Sequence, residues 1–183
     1  DSVVFHARKP GFFKDNRPFM GVDGLQETGP ITLDASNKVK HYSQGNWKEF
    51  YDLLSTISNK KDPKILYIGD HLIKDIYTPS KSQISDTVAV VEEMSVSDEY
   101  VEFEKDPYAA LLSSKMWGSF FNINVGYEES VSSFWLKTIK NHSKICIPSL
   151  AAVASNPIEH KYKTFSEDDG LSGFYPDIPI SMK

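Results

Sequence analysis

The chain has 183 residues with a 40% hydrophobic fraction and Phe 11, Tyr 9 and Trp 3, enough apolar material for a real core in one domain, with two lobes also within its length. Lys+Arg 20 against Asp+Glu 25 gives a formal charge of -5, and with no basic cluster this argues against nucleic-acid binding as the main task. The single cysteine, Cys146, excludes an internal disulfide and fits a reducing compartment such as the cytoplasm; no segment approaches the roughly 18 to 20 apolar residues that span a bilayer, and none has the build of a secretory signal.

In chain order, Asp1–Ala7 reads as a strand that starts without a lead-in. A core strand needs neighbours on both sides, so we expect the chain to be the carboxyl-terminal part of a longer protein. An edge strand at a processed terminus is the alternative. Pro10 and Gly11 stop this strand, and the polar, Gly-rich residues 14–30 read as a loop. Ile31–Leu33 and Val39–Tyr42 flank a turn and predict a short hairpin. Asn46 with Glu49 three residues on forms a near capping box, and Trp47, Phe50, Tyr51, Leu54 and Ile57 share one face of a helix through Ser58. Lys64–Ile68 predicts a buried strand, His71 to just before Pro79 a short helix, and Thr87–Val91 a second buried strand. This order predicts a βαβ pattern with a parallel sheet. Residues 92–106 are acidic and read as a loop or frayed helix, 109–165 as mainly helical, and 170–183 as an extended wrapping tail. No internal repeat or low-complexity segment is present.

The most informative stretch is Tyr67-Ile68-Gly69-Asp70-His71-Leu72-Ile73-Lys74-Asp75. It places Asp70 at the carboxyl end of a strand, where open α/β sheets bind ligands. Asp70 and Asp75 beside the small Gly69 make a magnesium corner, since Mg²⁺ takes one or two carboxylates plus water and phosphate. An Asp that caps the next helix plus an exposed helical Asp explains the spacing equally well. Lys9 follows the first strand, and as a compact cation it suits a phosphate and a carboxylate nucleophile; a solvated loop lysine is the alternative. Lys9 and Asp70 together form a phosphoryl-transfer constellation. Ser43–Asn46 is a helix entrance whose N–H groups suit an anion, so Asn46 is a weaker phosphate-binding candidate beside a plain N-cap. His6, His41, His71, His142 and His160 lack metal-ligand spacing, which argues against zinc; His71 is assigned a structural or supporting role. Cys146 sits among apolar residues and reads as a buried, inert thiol. Lys115–Phe121 reads as packing between lobes.

Ala7-Arg8-Lys9-Pro10-Gly11-Phe12-Phe13 followed by the Tyr67–Ile76 stretch resembles the cytosolic purine 5′-nucleotidase group of the haloacid dehalogenase superfamily. Lys115–Phe121 and Gly173–Pro179 are similar to one member of that group. The resemblance implies an α/β fold, part of a Rossmann-like parallel sheet of the haloacid dehalogenase type, with core residues 1–94 and a mainly helical extension over 95–183. It implies that Lys9 steadies an aspartyl nucleophile and its phosphate, that Asp70 ligates Mg²⁺, and that Asp75 supports Asp70 from behind. The family's Asp-x-Asp-x-Thr motif, which supplies nucleophile and general acid/base, does not occur in this chain. The expectation is therefore a Mg²⁺-dependent 5′-nucleotidase or phosphomonoesterase in the complete protein, acting on a nucleoside monophosphate, with the upstream half of the same protein as partner and no turnover by this chain alone. A second reading is a non-catalytic scaffold, its aromatic-rich 108–165 region docking an oligomer or another partner. Neither reading calls for nucleic acid or a membrane.

Overall fold

The computed structural model describes residues 2–36, 41–81, 85–95, 120–124, 130–166 and 169–183. They fall into two compact units, Asp1–Ile65 and Leu66–Lys183. The architecture is mixed α/β with a parallel sheet and several helices.

The first unit is built on a four-stranded sheet of order β1-β4-β2-β3, from Val3–Phe5 (β1), Phe19–Asp23 (β2), Gln26–Ile31 (β3) and His41–Gln44 (β4). β1 and β4 run parallel, with Phe5 opposite Ser43. β2 and β3 form an antiparallel hairpin within the stretch expected to be a loop. Its turn is Gly24–Leu25, and Gly24 supplies the positive φ (58°) that a two-residue hairpin turn requires. Among the described residues the predicted hairpin over 31–42 is not seen: β4 inserts between β1 and β2 and does not pair with β3. Residues 37–40 of that stretch lie outside the described ones. Helix α1, Trp47–Ser58, matches the expected span and ends at Asn59 in the left-handed region. Phe12 meets Phe19, Trp47 and Phe50 edge-on, with centroids 6.3, 6.3 and 6.4 Å away, so an aromatic cluster ties α1 to the sheet. Gly45 is required in this cluster, because its φ is +86° and a Cβ there would lie 2.2 Å from the Phe19 ring.

The second unit carries a three-stranded parallel sheet of order β5-β6-β9, from Leu66–Gly69 (β5), Asp86–Val90 (β6) and Ile145–Ile147 (β9). β5 and β6 are the two strands expected in this region. β1, expected in the same parallel sheet, instead pairs with β4 in the first unit. β5 is also less buried than its apolar run predicts. It pairs only with β6 among the described residues, and Leu66 and Ile68 remain 57% and 42% exposed. Between β5 and β6 lie a π-helix, Leu72–Tyr77, and its continuation α2, Thr78–Lys81. The helix passes Pro79 instead of stopping before it. Proline lacks an N–H, but at the first turn of a new helix that loss costs little, and the wider π turn delivers Pro79 at such a position.

Beyond β6, a 3-10 turn covers Glu92–Ser95, and residues 96–119 and 125–129 lie outside the described ones. The expectation of mainly helical structure over 109–165 is corrected for the described part. A β-hairpin, Asn122–Asn124 (β7) with Ser130–Ser132 (β8), precedes α3, Phe134–His142, and β9 then joins the parallel sheet. A short helix, Ala151–Ala154 (α4), follows. Ile145-Cys146-Ile147, two β-branched residues flanking a cysteine, has every side chain buried, which suits a strand covered on both faces better than a helix. The ending, 169–183, is largely irregular and wraps back, with Phe174 bridging to Cys146 and buried in the core beside Leu72, Ile76, Phe121 and Leu136.

Candidate functional site

β5 ends at Gly69, and Asp70 follows at the carboxyl end of a parallel strand. Parallel sheets leave room for ligands at that end, because the chain turns away into a helix there. Asp70 is exposed and lines a cleft of about 340 Å³ with His71, Val91, Glu93, Phe120 and Trp135. The Phe120 and Trp135 rings stack along this cleft, 11° from parallel with centroids 6.2 Å apart. Among the described residues, no hydrogen bond or ion pair engages the Asp70 carboxylate.

Asp75 is only 2% exposed. Its Oδ1 accepts a hydrogen bond from the Tyr67 hydroxyl (3.1 Å) and its Oδ2 accepts one from the His71 backbone N–H (3.3 Å). The Asp75 N–H in turn donates to the His71 carbonyl (2.7 Å). This reciprocal pair resembles a capping box, in which a helix residue reaches back to the residue that starts the helix. His71 completes the start, its Nδ1 accepting from the Lys74 N–H at 3.4 Å. Gly69 belongs to the same assembly. A Cβ at position 69 would lie 2.4 Å from the Asp75 Cβ and 2.8 Å from its Cγ. The space that glycine leaves is therefore taken by Asp75, which packs on the strand backbone and braces the turn that presents Asp70.

In the first unit, β1 leads directly into the loop that holds Lys9. His6 and Arg8 have φ of 52° and 54°, the Lys9–Pro10 peptide is cis, and Lys9 is half-buried. The neighbouring parallel strand β4 ends at Gln44 and is followed by Gly45, with φ of 59° and 86°, and leads into α1. Non-glycine residues with positive φ are costly and concentrate at functional turns. Here three of the four among the described residues, His6, Arg8 and Gln44, gather at the carboxyl ends of the two parallel strands, which places the Lys9 loop and the α1 entrance at the same sheet edge. Asn46 caps that entrance: its Oδ1 accepts from the Glu49 N–H (3.0 Å), while its Nδ2 donates to the Arg17 carbonyl (2.8 Å) and to Glu49 Oε1 (2.9 Å). Both amide hydrogens of Asn46 are thus committed within the fold. Behind the edge, Ser43 Oγ donates to Glu27 at 2.6 Å and Gln44 Nε2 donates to it at 3.0 Å, and these bonds hold the Glu27 carboxyl below its ordinary range.

The structure thus brings Lys9 and Asn46 to one sheet edge of the first unit, and Asp70, His71 and Asp75 to one turn of the second. Cys146 is fully buried with its Sγ 3.4 Å from the Met94 sulfur, and burial pushes its thiol far up from ordinary ionisation. Of Lys115–Phe121 only Phe120 and Phe121 are described, and both pack in or against the second unit's core. Among the described residues, no group of three His, Cys, Asp or Glu side chains could by itself hold a metal ion. The sequence reading missed Tyr67. Its signal was the two-residue step from Gly69 along the strand, which puts both on one face.

The profile of the 5′ nucleotidase family matches residues 1–145. The chain belongs to the 5′ nucleotidase family. It is 34% identical over 206 residues to 5′-nucleotidase domain-containing protein 1 of Homo sapiens, a match covering 100% of this chain and 45% of that protein. To the same-named protein of Bos taurus it is 32% identical over 203 residues, covering 100% of this chain and 44% of the relative. A shorter match, 38% over 80 residues, relates 42% of this chain to 14% of human 5′-nucleotidase domain-containing protein 2. The chain therefore spans a little under half the length of the first two relatives. The 5′ nucleotidase match includes both the Lys9 loop and the Asp70 turn, the two stretches that carried the resemblance.

Proposed function

We propose that the full-length protein is a Mg²⁺-dependent phosphomonoesterase of the haloacid dehalogenase type, hydrolysing nucleoside 5′-monophosphates, with Lys9 and Asp70 of this chain in its site. The observation that supports it most is the Asp70 carboxylate, exposed on a cleft at the carboxyl end of β5 and held from behind by the buried Asp75. Family membership supports the choice of reaction.

The described residues fit a magnesium site in part. Asp70 offers hard oxygen donors with no partner among the described residues, whereas the oxygens of Asp75 already accept hydrogen bonds from Tyr67 and His71. Asp70 would hold the ion, Asp75 would orient the turn, and the other ligands would be water, phosphate oxygens and groups outside this chain. When bound, Mg²⁺ would offset negative charge on the transferring phosphoryl group. The Lys9 ammonium does the same from the β1 loop. An aspartate outside this chain attacks phosphorus as the ester P–O bond breaks, and a second aspartate gives its proton to the leaving oxygen. The second aspartate then takes a proton from water, whose oxygen attacks the aspartyl-phosphate and releases inorganic phosphate. On this reading the 183-residue chain alone turns nothing over.

Purified full-length protein, offered a panel of nucleoside monophosphates and simple phosphate esters, tests the proposal. Phosphate release that disappears with chelator and returns with Mg²⁺ is the expected result. No release from any ester, with the Asp-x-Asp-x-Thr motif intact, would leave the scaffold reading in its place.

A further inference from the structure

We infer that Tyr67 is a positioning residue for Asp70, acting through the buried Asp75 carboxylate. The inference rests on the magnesium role proposed above for Asp70 and adds a residue which that role does not contain.

Asp70 sits between two fixed points. On one side is Gly69, whose backbone packs against the Asp75 side chain so closely that a Cβ would lie 3.1 Å from Asp75 Oδ2. On the other is His71, whose N–H donates to that same Oδ2 at 3.3 Å and whose carbonyl accepts from the Asp75 N–H at 2.7 Å. The Asp75 carboxylate is therefore the common anchor of both neighbours of Asp70. A carboxylate 2% exposed keeps one orientation only while donors hold it, since an unsatisfied buried acceptor costs more than the bond itself contributes. The Tyr67 hydroxyl supplies a donor to the other oxygen, Oδ1, at 3.1 Å, from the strand that Asp70 terminates. Loss of the hydroxyl removes one of the bonds that fix the rotation of the carboxylate, so Oδ2 leaves the His71 N–H more readily and the turn loosens. Partners one step removed from a metal ligand typically change metal affinity or activity by about 10- to 100-fold when removed.

Tyr67→Phe keeps the ring and deletes only the hydroxyl. In the full-length protein we expect the His71 amide to exchange with solvent at least about tenfold faster, by analogy with local opening of other turns. We also expect the Mg²⁺ concentration for half-maximal phosphate release to rise about tenfold, with KM for the ester nearly unchanged. Asp75→Asn should show the same two changes, and the double variant should add little to either single one. Unchanged His71 exchange with an unchanged Mg²⁺ midpoint overturns the inference. So does a lower melting temperature with both readouts intact, which would make the hydroxyl merely structural. If the wild-type protein shows no Mg²⁺-dependent release, the phosphatase reading fails instead, and His71 exchange alone decides whether Tyr67 sets the turn.

Discussion

Asp70 and Asp75 carry the same group five positions apart, and their surroundings separate their roles. Asp70 points into a cleft with no described partner, so Asp70→Asn should leave the folded structure intact. Asp75 is part of the packing, and so is the glycine beneath it. Gly69→Ala places a methyl group 2.4 Å from the Asp75 Cβ, an overlap that should cost about 1–3 kcal/mol, read as a lower midpoint in urea unfolding. A midpoint equal to wild type would show that the turn has slack the geometry does not reveal. Cys146 offers a second check at this scale. Buried, and with its thiol pushed up by that burial, it should resist alkylating reagents in the native protein and react once unfolded. Lys9→Ala should lower kcat of the full-length protein by about 10²- to 10³-fold if its ammonium offsets charge in the transition state.

At the scale of elements, α1 was the most legible part, because Asn46, Glu49 and a single apolar face all point to one helix. Asn46→Ala should cost about 1 kcal/mol for the lost cap, measurable by denaturant unfolding. A larger loss would reflect the Arg17 carbonyl it also satisfies. β5 and β6 were legible as short apolar runs, and the position of Asp70 followed from them. The β2–β3 hairpin was hidden because Gly21, Gly24, Gly29 and Pro30 mimic a loop. Gly21 is needed because a Cβ there would lie 2.5 Å from the Thr28 hydroxyl, and Pro30 is tolerated because β3 is an edge strand with no second partner strand among the described residues. β9 was missed for a different reason. Three apolar residues between helices carry too little periodicity to separate strand from helix, and only its pairing with β6 decides. The Asp75 clamp was legible only as a spacing; which group filled the space above Gly69 depended on the π turn that follows it.

For the whole molecule, surface carboxylates add to the pH dependence of stability. The Ser36 N–H holds Asp34, Lys163 holds Asp169 and Lys183 holds Asp177 below the ordinary value of 3.8, and the Ser43 hydroxyl holds Glu27 below 4.5. A carboxyl whose folded pKa is depressed stabilises the fold above its unfolded value and loses that contribution as pH falls through the folded value. Melting temperature should therefore fall slightly as pH drops below about 6.5, where burial resists protonation of His142, and decline further below about pH 4, modestly, since the carboxylates are exposed. A melting temperature that stays level down to about pH 3 would contradict both contributions. The relatives of the family are more than twice as long as the matched region. The central claim is that Asp70 supplies the carboxylate for Mg²⁺ in a phosphomonoesterase. Its most direct test is phosphate release by full-length Asp70→Asn across a Mg²⁺ titration. The account predicts a folded protein whose release is lost at every Mg²⁺ concentration; wild-type turnover with a wild-type Mg²⁺ midpoint would contradict it.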